Sequence, residues 1–227
     1  MNGSGRHPEV TRGAEHYLQA IYALTAERRT VIGARLAQHL RVSAPSVTQA
    51  LKRLERDGLV TLVAKADRKE VHLTPAGHRI GEASTRKHRL IETWLVSSLK
   101  LRSTEAHAAA EHLEHGFDAF LLNRLFDAIG RPFTCPHGNP IPGSSYDAPS
   151  MVPLADIPVG HAFTVSRIPE ELEFTPGLLD FLEASHILPG HSGRLTASSP
   201  DGTVTVEIEG RHVGLGSFAS ARILVLA

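Results

Sequence analysis

The segment His107–His115 carries the densest group of chemically active side chains in this sequence. In α-helical geometry, four of its side chains fall within about 100° of one helix face: His107, Glu111, Glu114 and His115. His112 points elsewhere and is predicted to be a surface or core histidine. Carboxylates packed this closely repel one another unless a cation neutralises them. The spacing favours a metal site, and the alternative is a solvated polar face.

A second pair, His88 and Glu92, is spaced by four residues and could close such a site. Imidazole and carboxylate ligands without a thiolate suit Mn(II), or alternatively Fe(II), better than Cu(I) or a structural zinc ion. Cys135 is the only cysteine, so an internal disulfide is excluded and a reducing cytoplasm is expected. We interpret Cys135 as a structural residue rather than a ligand.

Paired histidines and carboxylates on helices also build hydrolytic metal sites, so a metal-dependent hydrolase is the competing class. The string here is H-x-x-x-E-x-x-E-H, and neither H-E-x-x-H nor H-x-x-E-H occurs. A serine elbow, a phosphate loop and a dinucleotide fingerprint are also absent from the sequence. We therefore expect no enzyme activity and no small organic substrate.

The elements that would position these residues follow a basic N-terminal region. Residues 1–90 carry 16 Lys and Arg against 8 Asp and Glu, a net charge of +8, although the whole chain is neutral. Residues 91–130 carry −3 and residues 131–227 carry −5. A basic third joined to an acidic remainder indicates a module that binds a polyanion.

The basic region reads as a winged helix-turn-helix. Helices are predicted over 14–26 and 32–40, and a third begins at the N-cap Ser43 and ends at Asp57-Gly58. A hairpin with a basic tip, residues 59–73, would form the wing. Such a module binds double-stranded DNA with the third helix in the major groove. Predicted base contacts are Ser43, Pro45, Ser46, Thr48 and Gln49, and predicted phosphate contacts are Arg35, Lys52, Arg53, Lys65, Arg68 and Lys69.

A long helix predicted from Thr74 to about Leu99 is typical of a dimer interface, and a homodimer suits a two-fold operator. Residues 131–150 hold five prolines and read as a linker, after which strands predominate. The predicted domains are 1–73, 74–130, 131–150 and 151–227. The first residues show no signal-peptide core and no stretch could span a membrane, so a cytoplasmic protein without membrane partners is expected.

Several strings together resemble the diphtheria-toxin-repressor and manganese-transport-regulator family of metal-dependent transcriptional regulators. They lie in family order over residues 11–143: Glu15-His-Tyr-Leu18, Ser43-Ala-Pro-Ser-Val-Thr-Gln49, Leu54-Glu-Arg-Asp-Gly-Leu-Val60, Leu73-Thr-Pro-Ala-Gly77, Arg86-Lys-His-Arg-Leu90, the His107–His115 run and His137-Gly-Asn-Pro-Ile-Pro-Gly143. The resemblance implies a mainly α N-terminal half, made of a winged helix-turn-helix and a helical dimerisation domain. A small all-β SH3-like barrel would follow it.

The resemblance also implies two metal sites per chain. The ancillary one would use His88, Glu92 and His107, and the regulatory one would use Glu111, Glu114, His115 and His16. Glu111 stands where iron-type members carry cysteine, which favours Mn(II). His16 replaces a methionine or aspartate, and Gln19 replaces a carboxylate of the two-domain manganese-type members. In the acidic segment 169–174, family members can lend a carboxylate to the ancillary site, and a solvated loop is the alternative for Glu170, Glu171 and Glu173.

These observations predict a Mn(II)-dependent repressor of metal-uptake genes, with an Fe(II)-responsive repressor as the alternative. Metal bound between the first helix and the 107–115 helix would favour the dimer arrangement that meets successive major grooves. In that arrangement His16 would be the tether, that is, the ligand on the first helix through which the metal joins this helix to the 107–115 helix.

Overall fold

A computed structural model describes residues 10–66 and 68–227. The chain divides into two compact units, one ending at Thr85 and one beginning at Arg86. Two sequence predictions, the absence of a signal-peptide core at the N-terminus and the place of Asp67 in the wing tip, lie outside the described residues.

The first unit has the predicted winged helix-turn-helix. Its elements are α1 (Arg12–Ala26), α2 (Gly33–Leu40), α3 (Ala44–Arg56), and an antiparallel hairpin of β1 (Val60–Lys65) and β2 (Arg68–Leu73). Ser43 is the N-cap of α3 and Asp57 its C-cap, as the sequence predicts. A long helix, α4 (Pro75–Leu99), follows the wing.

A single apolar core fixes the face that the third helix leaves to solvent. Leu18 of α1, Leu36 of α2, and Val47 and Leu54 of α3 are each at most 2% exposed. They pack in one cluster with Val60 and Val71 of the wing. The rest of the α3 surface, including its first turn, therefore stays exposed.

The second unit begins with helices. α4 packs its buried Ile91 and Leu95 against Ala106 and Ala110 of α5 (Ser103–Leu113). A 3-10 turn (Glu114–Gly116) and α6 (Ala119–Ala128) follow. The single continuous helix assumed for 107–115 is therefore wrong, because the α-helical hydrogen bonding ends at Leu113 and the last two predicted ligands lie in the tighter turn.

The middle of the predicted linker, residues 135–141, is packed against the protein, whereas residues 147–150 are exposed. Cys135, His137, Asn139 and Ile141 are at most 4% exposed. Two arginines of α4 hold this segment, since Arg86 and Arg89 donate to the carbonyl oxygens of Pro142 and Pro140.

The remainder is a small β unit with a six-stranded antiparallel sheet in the order β3-β8-β4-β5-β6-β7. The strands are β3 (Val152–Pro153), β4 (Ala162–Arg167), β5 (Ser192–Ser198), β6 (Val204–Ile208), β7 (Arg211–Leu215) and β8 (Leu224–Leu226). Three short helices interrupt them: α7 (Glu170–Glu173), α8 (Leu178–Ala184) and α9 (Ser217–Ser220). The prediction that strands predominate after the linker agrees with these six strands, whereas the three helices were not predicted.

None of the helices within 10–66 and 68–227 is long and apolar enough to cross a membrane.

Candidate metal centre and nucleic-acid interface

Two buried side chains of α4 and one half-buried side chain of α5 form a candidate metal centre. His88 and Glu92 lie one turn apart on α4 and are 6% and 1% exposed. His107 of α5 places its Nδ1 3.3 Å from Glu92 Oε1 and 3.2 Å from His88 Nε2. One donor atom from each residue lies within 4.8 Å of the others. The structure thus brings together the three residues that the family resemblance places in the ancillary site.

The segment predicted as a linker adds two more donor groups to the same carboxylate. His137 is fully buried, and its Nδ1 lies 3.5 Å from Glu92 Oε1. The thiol of Cys135 belongs to the same group, with its Sγ within 4.8 Å of donor atoms of Glu92 and His137. Glu92 therefore belongs to two groups of potential ligands. In one it lies with His88 and His107, and in the other with His137 and the thiol of Cys135.

The short helix α7 contributes a further carboxylate. Glu173 Oε2 lies 3.4 Å from His137 Nδ1 and 3.8 Å from His107 Nδ1. Asn139 holds this carboxylate, since its Nδ2 donates to Glu173 Oε1 at 2.7 Å. Arg167 Nε in turn donates to Asn139 Oδ1 at 2.6 Å. The side chain that faces the centre is thus fixed by a chain of hydrogen bonds.

The other two acidic candidates in this segment have different partners. Glu170 forms a buried ion pair with Arg89 of α4, with Oε2 2.7 Å from the guanidinium Nη2. Glu171 Oε2 accepts from Arg222 Nε at 3.0 Å. The segment is therefore not a solvated loop, and Glu173 is the member that reaches the centre.

Burial and opposite charges together shift the pKa values of this cluster. Burial alone would raise the pKa of Glu92, but the charge of His137 and the hydrogen bond with His107 hold it well below its usual value. Burial alone would lower the pKa of His107, but Glu92 and Glu173 raise it to about 9. Burial raises the pKa of Glu173 and of the Cys135 thiol. These directions favour protonated imidazoles beside Glu92 when no metal is bound.

The unpartnered polar atoms show that a cation fits this site. Both ring nitrogens of His137 and Oε2 of Glu114 are buried without a hydrogen-bond partner in the part of the chain that the structure describes. Buried polar atoms are rarely left unpaired, and an ion is one standard explanation. Imidazole nitrogens and carboxylate oxygens are ligands for Mn(II), Fe(II) and Zn(II), so the residues present fit a divalent cation.

The four residues predicted for the regulatory site are distributed differently. Glu114 Oε2 lies 3.4 Å from His88 Nδ1, so this residue adjoins the α4 histidine. Glu111 and His115 are exposed. His16 is exposed on α1, in the first unit. His112 is also exposed, and its Nδ1 donates to Ala108 O at 2.8 Å.

Sequence reasoning gave Cys135 and His137 no metal-binding role, and it did not distinguish Glu173 from its acidic neighbours. The signal was the string Cys135-Pro-His137, two metal-binding residue types one residue apart in a segment whose prolines suggested a linker. Glu173 was named among three acidic residues without a choice between them. Only the fold shows which one turns inward.

The predicted nucleic-acid interface is exposed on the first unit. Pro45, Ser46, Thr48 and Gln49 line the outer surface of α3. Ser43 Oγ accepts from the Ser46 backbone N–H and so caps the helix. Thr48 Oγ1 donates to Ala44 O at 3.0 Å. Gln49 is exposed on the same face, and its amide group is the one that we predict to contact a base edge.

The basic residues predicted to contact phosphates are also placed at the surface. Lys52, Arg53, Lys65 and Lys69 are exposed on α3 and the wing. Arg68 Nη2 lies 3.3 Å from Glu70 Oε1, which offsets part of its charge. Arg35 is half-buried and donates to the Thr30 carbonyl.

Gly138 holds His137 in place, and this gives a first prediction. Its φ is +78°, and a Cβ there would lie 2.1 Å from the Ser166 carbonyl oxygen. We expect Gly138→Ala to lower the free energy of unfolding by about 1–3 kcal/mol and to weaken metal binding. Urea unfolding measures the first effect and equilibrium dialysis with Mn(II) the second.

Gly130→Ala is the matched control, because Gly130 has a φ of +80° but open space around its Cβ position. It shares the backbone cost without the clash. If the two variants lose the same free energy of unfolding and the same metal affinity, the close approach to Ser166 does not explain the effect of Gly138→Ala.

The basic winged helix-turn-helix and the buried group of imidazoles and carboxylates together define a metal-dependent DNA-binding regulator. Three family models match the chain. They are the iron dependent repressor N-terminal DNA binding domain over residues 9–66, its metal binding and dimerisation domain over 74–143, and the FeoA domain over 152–227. The chain is 34% identical over 216 residues to the iron-dependent repressor IdeR of Mycobacterium tuberculosis, covering 90% of this chain and 92% of that protein.

The diphtheria toxin repressor of Corynebacterium diphtheriae is 40% identical over 129 residues, which cover 57% of this chain and 56% of that protein. A solved manganese-dependent transcriptional repressor in complex with manganese aligns at 32% identity and a TM-score of 0.77, covering 94% of this chain and 99% of that chain. The crystal structure of T. acidophilum IdeR aligns at 27% identity and a TM-score of 0.76, covering 96% of this chain and 98% of that chain. The chain belongs to the iron-dependent repressor family. It is a DNA-binding repressor and not an enzyme, which removes the hydrolase alternative.

Proposed function

We propose that this protein is a Mn(II)-responsive repressor of metal-uptake genes that binds operator DNA as a homodimer. The observation that carries the proposal is the buried cluster of His88, Glu92 and His107, in which every donor is nitrogen or oxygen. Glu114, beside His88, extends this set with another oxygen donor. Hard and borderline ligands of this kind suit Mn(II).

Metal binding at these residues would also stabilise the fold around them. When bound, a divalent cation supplies positive charge to a site rich in carboxylates and joins the segments that donate ligands. Glu92 belongs to α4, His107 to α5, His137 to the 131–150 segment and Glu173 to α7. Without that charge these side chains depend on protonated imidazoles for neutrality, so the cation would stabilise the packed arrangement.

An Fe(II)-responsive repressor is the second candidate, and one observation favours it. The thiol of Cys135 lies in the group with Glu92 and His137. A thiolate ligand shifts preference toward softer or later metals than Mn(II). Two metal sites per chain, one with nitrogen and oxygen donors and one including sulfur, are consistent with these two overlapping groups.

The homodimer is supported by apolar side chains left in contact with solvent. Several large ones on the second unit are at least 41% exposed: Leu99, Leu113, Phe120, Leu121 and Phe133. Burial of these side chains between two copies of the chain would remove apolar surface from water. A symmetric dimer would bury them and present two α3 helices to one two-fold operator.

An operator-binding titration tests the proposed function. The DNA is a fragment selected from a random pool by the Mn(II)-loaded protein, and the titrations use Mn(II), Fe(II), Zn(II) and a chelator at fixed protein concentration. We expect tight binding with Mn(II) and loss of binding with the chelator. Tighter binding at lower free Fe(II) would favour the iron alternative, and binding that the chelator does not disturb would contradict metal dependence.

The nucleic-acid interface gives a second prediction, because phosphate and base contacts respond differently to salt. Lys52→Ala should reduce the slope of log K against log salt concentration by about 0.9, the value for one lost phosphate contact. Gln49→Ala should keep the slope and lower discrimination between bases by about 1–3 kcal/mol.

Fluorescence anisotropy at several salt concentrations measures both quantities. Lys100→Ala is the control, since Lys100 is exposed on the second unit and donates to Ser97 O. A slope that falls equally in the Lys52 and Lys100 variants would contradict the assigned phosphate contact.

His16 gives a third prediction, which rests on the family resemblance. His16→Ala should weaken Mn(II)-dependent operator binding while leaving the dimer intact, because a tether affects the bound arrangement and not the dimer interface. Gel shift with Mn(II) and light scattering measure the two properties, with His112→Ala as the control. An unchanged gel shift in the His16 variant would contradict the tether.

A further inference from the structure

A group of potential ligands on the β unit shares no residue with the metal centre. Glu209, in the turn between β6 and β7, lies between two imidazoles. Its Oε2 is 2.9 Å from His186 Nδ1, and its Oε1 is 3.0 Å from His191 Nδ1. The two histidines thus approach the two oxygens of one carboxylate.

Three separate segments bring these side chains together. His186 follows α8, His191 directly precedes β5, and Glu209 directly follows β6. The imidazole rings are 5.8 Å apart between centroids and inclined by 68°. Both His186 and Glu209 have left-handed backbone conformations, with φ of +58° and +48°. Such conformations are uncommon for residues with a side chain and here turn both side chains toward the same point.

We propose that His186, His191 and Glu209 form an additional site for a divalent cation of the zinc class. One donor atom from each residue lies within 4.8 Å of the others. Zinc bonds of 2.0–2.2 Å to nitrogen and oxygen in a tetrahedron place neighbouring donors about 3.3 Å apart. The observed separations of 2.9 and 3.0 Å need only small side-chain movements to reach that value.

Two histidines and one carboxylate with open positions are a ligand set that zinc uses. The three side chains are 35–49% exposed, so the cation can enter from solvent and keep water as a further ligand. Affinity for such sites is higher for Zn(II) than for Mn(II). The site would therefore respond to a different metal than the main centre.

A cation there would join the end of α8, the start of β5 and the β6–β7 turn. A cation that binds only the folded form stabilises it by RT ln(1 + L/Kd), where L is the free metal concentration, so the gain rises with the logarithm of the metal affinity. The β unit would thus gain stability from Zn(II) independently of the proposed Mn(II) response.

The test uses the full chain without an affinity tag and zinc chloride alone as the probe. Equilibrium dialysis followed by elemental analysis counts bound zinc in the wild type and in the His186→Ala/His191→Ala variant. We expect the variant to bind about one equivalent less per chain. Long-range proton–nitrogen spectra of the histidine rings should show the Nδ1 resonances of His186 and His191 shifting on zinc addition.

His212→Ala is the matched control, because His212 is exposed on β7 of the same sheet. It should bind as much zinc as the wild type. Equal zinc content in the double variant and the wild type, with no shift of these Nδ1 resonances, would overturn the proposal and leave a hydrogen-bonded ion pair only. A loss of one equivalent in the His212 variant as well would also overturn it. Mn(II)-dependent operator binding should be the same in all three proteins, which separates this proposal from the proposed function.

Discussion

Glu92→Gln is expected to raise the Mn(II) concentration for half-maximal operator binding by on the order of 100-fold or more. Glu92 is 1% exposed and adjoins His107 and His137 at 3.3 and 3.5 Å. It also belongs to both candidate ligand groups, so one substitution removes a carboxylate from each. The amide keeps the shape of the side chain but not its charge. The measurement is a Mn(II) titration of operator binding.

Glu82→Gln is the control, because Glu82 lies on the same helix and its side chain is 42% exposed. It should bind metal and operator as the wild type does. Circular dichroism at the assay temperature verifies that the Glu92 variant is folded. A Glu92 variant that is folded and responds to Mn(II) with unchanged affinity would contradict the assignment of the centre.

Arg89→Met is expected to lower the free energy of unfolding by about 3–5 kcal/mol. The guanidinium and the Glu170 carboxylate are 9% and 8% exposed and 2.7 Å apart, so removing the cation leaves a carboxylate buried without it. The charge of Glu170 also raises the pKa of Arg89 against the opposing effect of burial. Because Glu170 lies on α7 with Glu173, the substitution should also weaken metal binding. Urea unfolding in the presence of a chelator measures the stability change.

The double variant Arg89→Met/Glu170→Gln should recover a large part of this loss, because it leaves no unpaired buried charge. Arg222→Met is the comparison, because it breaks a more exposed ion pair. The side chains of Arg222 and Glu171 are 23% and 20% exposed. This variant should lose about 1 kcal/mol or less of the free energy of unfolding. A double variant no more stable than Arg89→Met would contradict the ion-pair explanation.

Local rules made much of the first unit predictable from sequence. Ser43 caps α3 and Pro45 lies in its first turn, so the start of the helix follows from local hydrogen bonding. The apolar spacing of Val47, Leu51 and Leu54 then fixes which face is buried. These patterns involve neighbours in the chain and can be recognised without knowing the fold.

The metal centre was only partly predictable, because its members come from distant segments. His88 and Glu92 are one turn apart, and the resemblance placed His107 with them. Helical geometry was extended too far at Glu114, since α5 ends at Leu113. His137 and Glu173 reach the centre through tertiary contacts with α4 and with Asn139, which no local pattern encodes.

In the β unit, too, some elements could not be predicted from local sequence patterns. β7 contains Gly214 and two charged or polar residues, so its alternation is weak, yet it pairs with β6 over five residues. α8 begins after Gly177 without a side-chain cap, and its burial of Leu179 and Leu182 supports it instead. Packing determines both elements more than local propensity does.

Anomalous diffraction from crystals of the Mn(II)-loaded protein tests the central claim most directly. Data collected on either side of the manganese absorption edge locate the ion without reference to any assumed ligand. The account predicts a manganese peak bonded to Glu92 together with His88 and His107. Ordered crystals whose manganese peaks lie elsewhere, with these three side chains bound only to one another, would contradict it.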